Sequence, residues 1–410
     1  MHELERAVTA ARQEKTDDFS TPERLIETAA ALWAQEGRAG VATRAIVARS
    51  GLPNSSIYHH FGGLEQLLIE TQAHVRRRAA IWCEQQLASA ARLSTLSPAA
   101  FPTLFATLVD DWCWQQRQMA FILRECHLVG RDARYLPVLE EWRILWLDFW
   151  EALAARCGFA GAGMICSNVF DGVSLLHLMD WRRLVDRASL DEYARGLGAW
   201  LTGELADEGP WHRSAHEEAL RTQPRLERRG VAGDIANAAA NVLERSGMAG
   251  LTYRAVAAEA GVTLGTVSHQ FRSASDLLHA TFETIYDRIS PPGGALPVAA
   301  DAGTAEARRT APIYFATEEL ILSVARRSDL GAFALQLRYL RGRGGRPLLM
   351  QRLKRDDVSL VDGLLYSSFL AGHGRAMFSI EEGEQRAAAA DVPGALLGLL
   401  GCPDAVARAG

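Results

Sequence analysis

The sequence predicts an all-α protein built from two fused copies of one helical unit. Three observations predict it. Apolar residues recur at helical spacing along nearly the whole chain, and β-branched runs are few. A shift of 210 positions lays 25–70 over 235–280 without a gap. Further markers then repeat downstream at a similar distance, which makes the repeat the first fact about the architecture.

About a dozen positions in the gapless stretch are identical, among them Ala29/Ala239, Gly37/Gly247, Gly40/Gly250, Arg44/Arg254, Gly51/Gly261, His59/His269, Phe61/Phe271 and Leu67/Leu277. Apolar character is kept at Val41/Leu251, Ile46/Val256 and Ile57/Val267. Phe121, Leu123, Leu128, Gly130, Arg131 and Arg134 recur as Phe333, Leu335, Leu340, Gly342, Arg343 and Arg346, at an offset of 212. Asp171-Gly172 is matched with Asp362-Gly363 at an offset of 191, so the second copy is expected to have lost residues between these markers.

The elements of the first copy follow in order. Thr21-Pro22-Glu23 starts a helix, with a hydroxyl N-cap, proline at the first position and a carboxylate in the first turn. Alternatively Ser20 caps and Glu23 closes a capping box. Leu25, Ile26, Ala29, Ala30 and Trp33 form its apolar face, and Gly37 is expected to end it. A short helix over Thr43–Ser50, a turn at Gly51 and a third helix over Asn54–Phe61 complete a helix-turn-helix. The second member of such a pair is the one that enters a DNA major groove.

The domains expected are an extension over 1–19, a helix-turn-helix domain over 20–75 and a helical domain over 76–206, then a linker over 207–230. The second copy has its helix-turn-helix domain over 231–289 and a helical domain over 290–410. Pro210 and Pro224 mark the linker, with a short helix expected at Arg213–Arg221, and Ser290-Pro-Pro-Gly-Gly marks the break inside the second copy.

These residues resemble the tetracycline-repressor (TetR) family. The stretch Val41-Ala-Thr-Arg-Ala-Ile-Val-Ala-Arg-Ser-Gly-Leu-Pro-Asn-Ser-Ser-Ile-Tyr-His-His-Phe61 is similar to that family's DNA-binding signature almost throughout. Leu251-Thr-Tyr-Arg-Ala-Val-Ala-Ala-Glu-Ala-Gly-Val-Thr-Leu-Gly-Thr-Val-Ser-His-Gln-Phe271 resembles it nearly as well. There are departures: Ala42 replaces a common threonine that Thr252 retains, Gly62-Gly63 stands where a lysine often follows, and Ser268 replaces the tyrosine that Tyr58 supplies.

The resemblance implies contacts to double-stranded DNA from Thr43, Arg44, Asn54, Ser55, Ser56, Tyr58 and His59 in the first copy. Tyr253, Arg254, Thr263, Thr266, Ser268 and His269 are their counterparts in the second, where Thr263 is as well explained as a helix cap. Hydroxyl, amide and imidazole groups suit phosphate and base-edge hydrogen bonds. Arg221, Arg225, Arg228 and Arg229 suit either a minor-groove arm or a solvated charge run, and Arg76-Arg77-Arg78 reads as a solvent-facing helix turn.

The resemblance also implies a small apolar or aromatic effector, and pairing of subunits through the last two helices of each helical domain. The equivalents here are Val169–Leu184 with Asp191–Leu205, and Val361–Gly372 with Ala387–Gly401. One chain would then act as its own pseudodimer, a repressor reading an imperfect palindrome. Trp142, Trp146 and Trp150 share one helix stripe, and Trp112, Arg124, Glu125, His127 and His177 are candidate companions in an effector pocket. For any single tryptophan, packed core is the favoured reading. The second copy is poorer in aromatics, with Phe315, Phe333, Tyr339, Tyr366 and Phe369.

Other classes fit poorly. The net charge of −5 disfavours nonspecific coating of nucleic acid but leaves room for a local reading surface. No HExxH, GxSxG or Walker sequence occurs, no cofactor is implied, and six scattered cysteines (83, 113, 126, 157, 166 and 402) offer neither zinc spacing nor a disulfide framework. No apolar run reaches the ~18–20 residues of a membrane span, and no secretory leader is evident, so a reducing cytoplasm is the expected location. The rival reading is a ligand-binding or protein-interaction module with vestigial helix-turn-helix parts. Against it, both presumptive reading helices keep polar groups.

Overall fold

The computed structural model describes residues 20–93, 96–129, 132–222, 228–289, 305–327, 330–380 and 391–401. Every regular element among them is helical. The extension over 1–19, the Pro224 part of the linker and the Ser290–Pro297 break lie outside the described residues. The chain divides into two compact units, one formed by residues up to Gln85 with Gln118–Trp142, the other by Gln86–Arg117 with Arg143 onward.

The first unit begins with α1 (Thr21–Gly40), α2 (Thr43–Ser50) and α3 (Asn54–Phe61), followed by the start of α4 (Leu64–Ala91). Ser20 and Glu23 form the capping box that the sequence allowed, with Glu23 accepting from Ser20 N at 3.0 Å. Gly37 has φ 72° and interrupts α1, which resumes for one short turn to Gly40. Gly51 turns the chain between α2 and α3 in the left-handed conformation, φ 69°. Leu25, Ala29, Trp33, Ile46, Ile57 and Leu67 are fully buried and form one core. α6 (Arg117–Val129) buries Met119 through Cys126. Gln72 of α4 donates to Ile122 O at 2.9 Å, and Glu27 of α1 meets His74 and Arg78 of α4.

The expected division at 75/76 falls within α4, which runs unbroken through it. Two of the three arginines there are engaged. Arg76 lies 2.8 Å from Glu141 and Arg78 lies 3.2 Å from Glu27.

In the second unit, α5 (Phe101–Trp114), the later part of α7 (Leu136–Arg156), α8 (Gly163–His177) and α9 (Arg183–Leu201) enclose an aromatic core. α8 stops at His177 and α9 starts at Arg183, so the expected boundaries Val169–Leu184 and Asp191–Leu205 are displaced. α10 (Pro210–Thr222) is the linker helix expected over Arg213–Arg221.

The second copy then repeats the first: α11 (Val231–Gly250), α12 (Tyr253–Ala260), α13 (Leu264–Gln270) and α14 (Ala274–Ile289). Its core is Ile235, Ala239, Val242, Val256, Val267, Phe271 and Leu277. Gly247 interrupts α11 at φ 67°, and Gly261 turns the chain at φ 65°, 210 positions after their counterparts. α15 (Ala305–Ala325), α16 (Gly331–Leu340), α17 (Gly342–Leu353), α18 (Leu360–Ser379) and α19 (Val392–Gly401) complete the unit.

α8 and α18 cross at backbone contact. A Cβ on Gly172 would sit 2.1 Å from Ser368 O, and a Cβ on Gly372 would sit 2.0 Å from Asn168 O. Gly363, which the sequence matched to Gly172, instead approaches Gly342 and Arg346 of α17. Two glycines tolerate close approach for the same steric reason, so an Asp-Gly match alone could not tell which of them forms the crossing.

Candidate nucleic-acid interface

The two helix-turn-helix segments present their residues alike. Over 51–60 and 261–270 the sequence of exposed, half-buried and buried positions is identical. Ile57 and Val267, both fully buried, pin α3 and α13 to their cores. The polar positions on either side are thereby turned outward.

In the first copy Arg44, Asn54, Ser55, Tyr58 and His59 are exposed, while Thr43 and Ser56 are half-buried. Tyr58 is 58% exposed, far more than a phenol with a packing role would be. Among the described residues the side chains of Asn54, Ser55 and Ser56 hold no hydrogen-bond partner, and the His59 ring meets that of His60 edge-on, centroids 4.8 Å apart.

In the second copy Arg254, Thr263, Ser268 and His269 are exposed, and Tyr253 and Thr266 half-buried. Several of these groups are engaged locally. Thr263 Oγ1 accepts from Thr266 N at 3.1 Å and lies 2.9 Å from Thr266 Oγ1, so it caps α13. Ser268 Oγ donates back to Leu264 O at 3.1 Å, and Tyr253 OH donates to Phe271 O at 2.9 Å. Thr252 caps α12 through Ala255 N, whereas Ala42 at the matching place caps nothing. Leu264 is 47% exposed on the same face. Arg228 is held by Glu283, which draws it out of any free basic arm.

A carboxylate reaches each reading head from the helices behind it. Glu125 of α6 accepts from Trp33 Nε1 at 3.2 Å and from Arg38 N at 3.1 Å. Glu319 of α15 accepts from Met248 N at 2.5 Å. Arg38 and Met248 each follow the glycine that interrupts the first helix of their domain, where the backbone N–H has lost its helical acceptor. Glu125, a candidate for the effector pocket, is thus engaged with its own reading head. Glu319 was not legible in advance, because the position matched to Glu125 at offset 212 is Leu337.

The effector candidates divide between the units. Trp112 and Trp146 come together, ring centroids 4.8 Å apart, and Phe170 lies 4.7 Å from Trp146 and 5.1 Å from Trp150. Trp150 Nε1 is buried and has no acceptor among the described residues. His177 is 5% exposed, bonds Val173 O through Nδ1 and packs its ring on Trp181. Arg124, His127 and Trp142 belong to the first compact unit, where Arg124 and Trp142 are buried. Among the described residues no group of three or more His, Cys, Asp or Glu is placed to hold a metal ion, and no helix is long and apolar enough to cross a membrane.

Two segments of one geometry, each a short helix, a glycine turn and a second short helix, define the site as a pair of helix-turn-helix motifs. The model of the tetR family of bacterial regulatory proteins matches twice, over residues 25–71 and 235–281. An 81-residue stretch is 37% identical to the HTH-type transcriptional regulator CymR of Pseudomonas putida, covering 20% of this chain. The match spans 36% of that relative's own length. The chain thus carries two tandem segments that are similar to the tetR family of bacterial regulatory proteins.

Proposed function

We propose that this chain is a DNA-binding transcription regulator that reads an operator with two non-identical recognition helices, α3 and α13. The observation that carries the proposal is the identical outward pattern of the two segments on different side chains. On α3, Asn54, Ser55, Tyr58 and His59 are exposed and Ser56 is half-buried, and Thr43 and Arg44 of α2 flank them. On the second head Arg254, Ser268 and His269 are exposed beside Leu264, Thr266 is half-buried with its hydroxyl against Thr263, Ser268 bonds back to Leu264 O, and Tyr253 and Thr263 fix the local backbone. Asn54 suits bidentate pairing with adenine, while Leu264 suits contact with a thymine methyl. The operator is therefore an imperfect palindrome.

The close crossing of α8 and α18 supports a pseudodimer, in which each chain supplies both halves of a symmetric reader. Regulation is repression relieved by a small apolar or aromatic effector. Trp112, Trp146, Trp150 and Phe170 offer ring faces, and the unpaired Trp150 N–H offers a donor to a carbonyl or carboxylate oxygen. Release follows if the effector binds better to the arrangement of heads that does not fit DNA.

Footprinting on the DNA upstream of the chain's own gene tests the reading. Tyr58→Ala is expected to weaken protection of one half-site and Thr266→Ala that of the other. Loss of the same half in both variants would contradict two separate reading heads.

A further inference from the structure

α16 is a ten-residue helix gripped at both ends. Near its start Phe333 packs edge-on against Phe282 of α14, ring centroids 4.3 Å apart, and lies 4.8 Å from the His279 ring of the same helix. α14 belongs to the second reading head, where Leu277 shares a core with Val267 of α13. Near the end of α16, Arg338 Nη2 donates to the carbonyls of Leu176, Met179 and Asp180, at 3.3, 3.1 and 2.9 Å. These oxygens lie at and beyond the last turn of α8, where a helix has run out of its own donors and carries the negative end of its dipole. Asp186 of α9 completes the grip, meeting Arg338 Nη1 at 2.8 Å and Tyr339 OH at 2.6 Å. Arg182 also meets Asp186, at 3.5 Å, but from the start of α9 itself, so the polar link from α9 to α16 runs through Arg338 and Tyr339.

The same α8 carries Phe170, whose ring lies 4.7 Å from Trp146 and 5.1 Å from Trp150. Phe170 stands about two turns before Leu176, so one stiff helix joins the aromatic cluster to the carbonyls that Arg338 holds. The second copy is built otherwise. α17, which precedes α18 as α7 precedes α8, has no aromatic residue and meets α18 at backbone contact. A Cβ on Gly342 would sit 2.8 Å from Leu364 N, and one on Gly345 would sit 2.6 Å from Gly363 O. Nor does the first copy repeat the grip. Phe121 matches Phe333, but the fully buried Cys126 stands where Arg338 does, and a thiol, with one weak donor, cannot hold three carbonyls and a carboxylate.

We propose that α16 is a coupling strut, which carries the state of the first copy's aromatic cluster to the second reading head, with Arg338 as the positioning residue at the joint. The proposal deepens the effector reading given above and rests on it. An aromatic ligand that shifts α8 moves the carbonyls under Arg338, and α16 passes the shift to Phe282 and α14. One molecule bound in the first copy thereby biases a head that belongs to the second, to the extent that it prefers one position of α8 over another.

The test uses the full chain without ligand and perturbs the cluster by Phe170→Leu. Hydrogen exchange of the α14 amides is followed by mass spectrometry, because local opening of the head sets their rate. Phe170→Leu is expected to speed exchange in α14 by roughly threefold or more, as coupling along a contact path does. The same substitution should leave α14 unchanged in Arg338→Met, which breaks the strut at α8, and in Phe333→Leu, which breaks it at α14. Arg338→Lys keeps a cation on the α8 carbonyls and should restore part of the response. Trp146→Phe perturbs the same cluster more gently and gives the same comparison should Phe170→Leu not fold. An Arg338 that only stabilises the fold would raise the baseline and leave the response intact, which overturns the proposal. A response that survives Phe333→Leu runs by another route, such as Glu319 of α15, and overturns it as well, as does a wild-type background with no response in α14. Wild type that binds no site selected from random DNA refutes the regulator reading itself, whereas normal DNA binding with an uncoupled α14 refutes the proposal alone.

Discussion

Arg338 Nη1 donates to Asp186 Oδ2 at 2.8 Å, and the pair joins α16 of the second copy to α9 of the first with 3% and 0% exposure. Arg338 Nη2 also donates to Met179 O and Asp180 O beyond the end of α8, and Tyr339 OH donates to the other Asp186 oxygen at 2.6 Å. Burial opposes charge on Asp186, but Arg338 and Tyr339 overcome it and hold the carboxyl below its usual range. Both ions are thus buried together with their hydrogen bonds largely satisfied.

Removing one ion should therefore cost more than removing both. Arg338→Ala is expected to lower stability by about 3 kcal/mol, because buried Asp186 then keeps only the part-exposed Arg182 guanidinium, 3.5 Å away. Arg338→Met combined with Asp186→Leu should recover much of that loss. Urea denaturation of Arg338→Met, Asp186→Leu, the double variant and wild type, combined as a double-mutant cycle, gives the coupling directly.

The carboxylates behind the reading heads make a separable pair of predictions. Glu125→Ala leaves Arg38 N and Trp33 Nε1 without their acceptor, and Glu319→Ala leaves Met248 N without one. Each should cost about 1–3 kcal/mol, the penalty of an unsatisfied polar group. The loss in DNA binding should follow the head. Glu125→Ala weakens the half-site read by α3, and Glu319→Ala the half-site read by α13. Footprint titrations of the two variants check the assignment.

The glycine crossing predicts a steep steric effect. Gly172→Ala and Gly372→Ala place a methyl about 2 Å from a backbone carbonyl, where the neighbour has no side chain to move aside. Each should destabilise by more than ~3 kcal/mol, as overpacking at a rigid contact does. Gly398→Ala meets nothing within 4 Å in α19 and should be neutral or stabilising by about 1 kcal/mol. Thermal unfolding of the three variants distinguishes a packed seam from a loose one.

Buried histidines set the acid limit. Burial, with Arg338 adding to it, pushes His177 down to about 3, burial with His216 pushes His212 down to about 3, and burial alone pushes His373 to about 4. Their folded values lie below the unfolded value of 6.5, so the unfolded chain binds protons first as pH falls. Their contribution is complete above that value and is lost on acidification, by up to ~1.4 kcal/mol per pH unit for each histidine. Stability should be level between pH 7 and 8 in these groups and fall below pH 6. His373→Phe, which retains the stack on Phe369, should reduce the slope measured by urea midpoints at pH 5 and 7.

Local signals in the sequence carried most of the reading heads. Ser20, Gly37, Gly51 and the buried Ile57 sit where capping and turn chemistry place them, and the gapless repeat transfers them to Gly247, Gly261 and Val267. Illegible features depended on tertiary partners. Asp362 resembled Asp171 by its neighbouring glycine, yet it accepts from Trp200 Nε1 and Ala206 N, while Asp171 holds Arg375. Glu319 does for the second head part of what Glu125 does for the first from a non-matching position, so no alignment of the copies could reveal it. The aromatic stripe was readable as helix spacing, but only the fold brings Trp112 and Phe170 onto Trp146.

Selection of binding sites from random double-stranded DNA at fixed salt tests the central claim most directly. Two heads that share a frame but differ in side chains must read different bases, with each mismatched pair costing about 1–3 kcal/mol in its own half. The selected sites should be imperfect palindromes with two distinct half-sites. Asn54→Ala should relax preference in one half only, and Leu264→Ala in the other. Recovery of a perfectly symmetric palindrome, or of a lone half-site, contradicts a chain that reads DNA with both of its heads.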